Sequence, residues 1–112
     1  MSILKYQIIK RYFKFLVICN NPKIIAHIIK SSPAKLIEII CNAAVNIYCG
    51  DIILTKSQKN LFAKSRSIIR ILSDKNTSLS NKRKILARER NQFILNAIIS
   101  ICFKSFGNKI FK

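Results

Sequence analysis

Residues 55–90 read TKSQKNLFAKSRSIIRILSDKNTSLSNKRKILARER, and this stretch decides the fold. Leu61, Phe62, Ser65, Ile68, Ile69 and Leu72 recur every three or four positions, so they share one side of a helix. Lys59, Ala63, Arg66 and Arg70 share the other side. A helix written this way buries one flank and keeps a basic row in water. Thr55, with Gln58 three residues on, is a capping box that sets its start. Residues 73–78, SDKNTS, favour a turn because their short polar side chains bond to local backbone. Ser78 or Ser80 can then cap a last helix running through Lys82, Ile85, Leu86, Glu89, Phe93, Ala97 and Ile101. The expectation is a basic helical hairpin over 55–106. Its cations, Lys59, Lys64, Arg66 and Arg70 from one arm and Lys82, Arg83, Lys84 and Arg88 from the other, are expected to meet on one outer surface.

Working outward, residues 33–50 read as a buried helix. Ser32 is placed to cap it, with Pro33 at its first position. Leu36, Ile37, Ile39, Ile40, Ala43, Ala44, Val45 and Ile47 cover most of its circumference, leaving a narrow polar strip of Lys35, Glu38, Asn42 and Asn46. Gly50 is placed to close its end. Residues 1–32 read as N-terminal amphipathic helices. Ile3, Tyr6, Ile9 (or Ile8), Phe13, Leu16 and Val17 form one stripe, Asn20-Asn21-Pro22 ends that helix, and a shorter one follows from about Lys23 to Lys30. His27, among Ile24, Ile25, Ile28 and Ile29, reads as a partly buried packing residue.

The chain is expected to be a single all-α domain, a bundle of four to five helices around one buried central helix. Its 112 residues suit one domain, and only two Gly and two Pro leave few punctuated reversals. Half the residues are hydrophobic, which excludes a disordered basic tail.

Charge is the strongest global signal. Lys and Arg number 21 against four Asp and Glu, a formal net charge of +17, and residues 55–90 hold eleven of those cations. Such a chain repels itself unless an anion compensates, although a solvated face for solubility would carry the same charges. The candidate partners are the phosphate backbone of nucleic acid, an acidic partner protein, or an anionic membrane surface. Three consecutive cations, Lys82-Arg83-Lys84, oppose the dipole of the helix they begin by about 0.3–1 kcal/mol each, a cost more readily understood if an anion docks there. The same run fits a nuclear-import patch. Phosphate contacts of this kind are independent of base sequence, since few Asn or Gln align on the same face.

Catalytic chemistry has no footing. The four carboxylates, at 38, 51, 74 and 89, form no pair at useful spacing, and no phosphate-binding Gly-rich loop or nucleophile elbow occurs. No catalytic residue, metal ligand or cofactor is assigned. Cys19, Cys41, Cys49 and Cys102 lie in apolar runs without CxxC spacing, so they read as buried free thiols. A signal peptide is not expected, because the first apolar run after Lys14 is only five residues, 15–19. Nor is a membrane span. The longest apolar segment, Phe93–Phe103, is about eleven residues against the roughly 20 required. The N-terminal helix and the segment 93–106 nevertheless mix cations with Phe, Tyr and Ile, a composition that suits either a lipid interface or mutual packing.

From Leu36 to Leu86 the chain resembles the small basic proteins of Polinton/Maverick-type elements and the related adenovirus-like adintoviruses. The resemblance lies in LIEIICNAAVNIYCGDIILTKSQKNLFAKSRSIIRILSDKNTSLSNKRKIL. Asn46, Gly50, Leu54, Thr55, Gln58 and Lys59 match one ordered string of that family; Leu72, Lys75, Ser78, Leu79, Lys82, Arg83, Lys84 and Leu86 match a second. The chain departs from it at Arg88-Glu89-Arg90-Asn91, where a Gly-Gly pair is usual, and at Asn60-Leu61-Phe62, where cations are common. The resemblance implies a small virion core or minor capsid component acting in the virion and host nucleus. Packaging of nucleic acid is the expected role; a membrane-active or protein-binding capsid role is the alternative.

Overall fold

The computed structural model of the chain describes residues 3–110, with side chains through residue 104. Helix α1 spans Ile3–Ile18 and α2 spans Pro22–Ser31. Asn21 separates them: its side-chain oxygen accepts from the Lys23 and Ile24 amides at 3.0 and 3.4 Å, and Pro22 opens α2 where no amide hydrogen is needed.

Helix α3 spans Ala34–Tyr48. Ser32 does not cap it. The Ser32 hydroxyl instead donates backwards to the Ile29 carbonyl at 2.9 Å and closes α2, while extended Pro33 leads into α3 with no side-chain cap. At the other end Gly50 takes φ +79°, a conformation that costs glycine little. There the Gly50 amide donates to Ile47 and the Asp51 amide to Asn46, so two carbonyls that the helix end would leave bare are satisfied.

The stretch 55–90 forms more pieces than its periodicity suggests. Helix α4, Lys56–Lys64, begins with the expected reciprocal cap. The Gln58 amide donates to Thr55 Oγ1 at 3.2 Å and the Thr55 amide to Gln58 Oε1 at 3.0 Å. It stops at Ser65 (φ −110°, ψ 22°), whose amide is shared between the Leu61 and Phe62 carbonyls, and α5 runs from Arg66 to Ser73. Helix α6, Leu79–Ala87, is capped by Ser78, which accepts from the Asn81 amide at 3.2 Å. Arg88 then leaves helical geometry (ψ 131°), a 3₁₀ turn covers Glu89–Asn91, and α7 spans Gln92–Ile110. The Asn91 side-chain amide donates to the Ile85 carbonyl at 2.8 Å, occupying an acceptor that the end of α6 exposes. Among the described residues the protein is thus all-helical with seven α-helices. The expectation of four to five fails because two of the expected helices are each broken in two, at Ser65 and at Arg88.

Helix α3 is the central one. It buries Leu36, Ile37, Ile40, Cys41, Ala43, Ala44 and Ile47, and packs against α5, α7, α6 and α1. Around it α1 packs on α7 and α2 on α6, and all the buried apolar side chains join one cluster. The radius of gyration, 13.2 Å, matches the about 13 Å of a chain this long folded as one body.

Two sequence readings change here. His27 is exposed on α2, because it falls between the buried positions Ile25 and Ile29. Of the thiols, all free, Cys41 and Cys102 are buried, Cys19 is half-buried, and Cys49 is exposed where the chain leaves α3. Burial pushes the Cys41 thiol up to about 11, against a smaller lowering by Lys82, and the Cys102 thiol up to about 12. Thiol-labelling should therefore modify Cys49 fast in the folded protein and leave Cys41 and Cys102 untouched until denaturant is added. Because those two folded pKa values lie above the unfolded value, their contribution to stability is complete at neutral pH and is lost as pH rises from about 9 through 11–12. Denaturant unfolding at pH 7 and pH 10 checks that slope.

Candidate nucleic-acid interface

The breaks in the basic stretch determine where its cations go. Lys59 and Ala63 on α4 and Arg66 on α5 still line a common cleft, so the basic row survives the kink at Ser65. The cleft encloses about 190 Å³, and Ile47, Tyr48, Leu54, Phe62 and Ile69 complete its wall. The Arg66 guanidinium lies over the Tyr48 ring, 5.5 Å from its centre, and this cation–π contact holds the charge over the mouth of the cleft. Arg70, one turn beyond Arg66 on α5, is exposed, as is Lys64. The four cations assigned to the first arm therefore stand in solvent on α4 and α5.

The second arm divides. Lys84 and Arg88 are exposed, Lys82 is half-buried, and Arg83 turns inward. Arg83 Nη1 donates to the carbonyls of Ile29 and Ser32, both at 2.7 Å, and to Ser32 Oγ at 3.1 Å. Those carbonyls belong to the C-terminal end of α2, where bare oxygens and the negative end of the helix dipole favour a cation. Arg83 therefore ties α6 to α2 through Nη1. Its anchor lies next to the first residue of α3, whereas Tyr48 and Arg66 stand at the last. At 1.5 Å per residue, the 15 residues of α3 put about 22 Å between these points. Arg83 drops out of the single basic surface expected from both arms: its Nη1 serves the fold, at the opposite end of the central helix from Tyr48 and Arg66.

Among the described side chains one ion pair forms, Lys35 with Glu38 at 3.9 Å, and both of its members are about half exposed. Also among the described residues, no three His, Cys, Asp or Glu side chains lie close enough to hold a metal ion, and no helix is long and apolar enough to cross a membrane. Comparison with protein-family models, with curated proteins and with solved structures finds no match to the chain.

Tyr48, Asn91 and the inward turn of Arg83 escape sequence reasoning. Tyr48 offered one signal, an aromatic in the last turn of a helix otherwise faced with aliphatics. Arg83 offered none, since it sits between two other cations.

Replacing Arg83 with Met should cost about 2–3 kcal/mol in denaturant unfolding, because a partly buried charged donor to several carbonyls is lost. Arg83→Lys should recover less than half of that, since an ammonium is more strongly hydrated than a guanidinium and costs more to hold part-buried. Exposed Lys64→Ala should change stability by less than about 0.5 kcal/mol.

Proposed function

We propose that the protein binds nucleic acid through the phosphate backbone, without reading base sequence. Lys59, Lys64, Arg66 and Arg70 form the primary contact, and Lys84 and Arg88 extend it. The observation that carries this reading is the scarcity of internal neutralisation: 21 cations face four carboxylates, and one ion pair forms among the described side chains. A folded surface in that condition holds a positive potential that a polyanion relieves by releasing its own counterions. The cleft beside Tyr48 supports the same reading, because Lys59 and Arg66 both line it and the Tyr48 ring holds the Arg66 charge in place. In the setting that the resemblance of residues 36–86 implies, the role is packaging of a genome in a virion or host nucleus, as a core or minor capsid component.

The test is a gel shift on unrelated duplexes over a salt series. The four primary phosphate contacts alone imply a log–log slope near −3.6, hence a loss of at least about a hundredfold between 50 and 200 mM salt. The double variant Lys59→Gln/Arg66→Gln should flatten that slope by about two and weaken all sequences alike. Binding that ignores salt, or that discriminates strongly between sequences, would contradict the proposal.

A further inference from the structure

Helix α1 is apolar on two opposite sides. Ile9, Phe13 and Leu16 face the core. On the outward side Leu4, Ile8, Arg11, Phe15 and Ile18 fall at spacings of four, three, four and three, which forms a second continuous stripe along the whole helix. That stripe is in water: Leu4 is 69% exposed, Phe15 45% and Ile18 68%. Ile8, Arg11, Tyr12 and Phe15, with Ile28 of α2, line an open groove of about 350 Å³ in its middle. A core helix needs only its inner stripe, so the outer one is surplus to folding and marks a contact face.

Charge decides which partner fits. Arg11 stands at the midpoint of the stripe, with Lys14 beside it. If a second copy docked stripe to stripe, Arg11 would meet Arg11 whether the helices ran parallel or antiparallel, between two bodies of +17 each. An anionic lipid surface has neither problem. It accepts large apolar side chains without shape matching, and the Arg11 and Lys14 stems reach outward to headgroup phosphates.

We infer that the outer stripe of α1 is a docking face for anionic membrane surfaces, on which α1 lies flat, separate from the α4–α5 cations proposed to hold nucleic acid. The inference does not rest on the nucleic-acid reading.

The experiment is co-sedimentation with neutral phosphatidylcholine vesicles and with vesicles containing 30% phosphatidylglycerol. It compares the full chain with Leu4→Ser/Phe15→Ser and with Lys59→Gln/Arg66→Gln. The serine pair keeps the charge and removes exposed side chains; circular dichroism confirms that the helices remain. The expected result is binding to the anionic vesicles, weakened more than tenfold by the serine pair and less than threefold by the glutamine pair, with the gel shift of the serine pair intact. Three results would overturn the inference: no binding to anionic vesicles, equal binding by the serine pair, or a dimer in sedimentation velocity that the serine pair dissociates. Retention on polyglutamate beads that depends on the stripe, without vesicle binding, would assign the face to an acidic protein and also overturn it.

Discussion

A net charge of +17 on 112 residues is the constraint from which the architecture follows. An unpaired cation in an apolar interior costs far more than a small domain has to spare, so every basic side chain must reach water or a carbonyl. The chain meets this by concentrating apolar residues in α3, which contributes almost no charge, and by wrapping it with helices that each bury one flank. Leu36, Ile37, Ile40 and Ala44 of α3 are fully enclosed, and none has a charged neighbour within one helical turn on the buried side. Arg83 is the informative exception. It enters the fold only because the end of α2 presents oxygens that need a donor, which converts a liability into a strap between helices 51 or more residues apart.

Separation of duties follows from that geometry. Cations on α4 and α5 flank a cleft near the C-terminal end of α3, the Arg83 strap secures its N-terminal end, and the second stripe of α1 lies on a different element again. The proposed phosphate and lipid faces thus fall on different helices, while the central helix carries one Lys and one Glu and no net charge. Self-association through either surface is opposed by the net positive charge of each copy.

Much of this was legible in the residues, and the limits have physical causes. The caps at Thr55, Ser78 and Gly50 are local, each resting on partners within five residues, so the sequence places the first and last and narrows the other to Ser78 or Ser80. The centrality of α3 was legible because its apolar residues cover nearly the whole circumference. The breaks at Ser65 and Arg88 were not, because neither Gly nor Pro marks them; α5 packs on α3 while α4 contacts α7, and the 3₁₀ turn after Arg88 touches α2, long-range contacts that no local pattern announces. The role of Arg83 depends on carbonyls brought near by the tertiary fold, and no local pattern separates it from Lys82 or Lys84. Of the proposed phosphate-binding residues, the α4–α5 set could be read from spacing, whereas the division of the α6 set could not.

The claim at the centre is that unneutralised surface cations, rather than any shaped pocket, determine what this protein binds. Thermal unfolding at low ionic strength, with and without linear polyphosphate, tests it most directly. A clear rise in Tm on adding the polyanion, abolished by about 0.5 M sodium chloride, is the result that the charge imbalance requires. A Tm that polyphosphate leaves unmoved at low salt would contradict it.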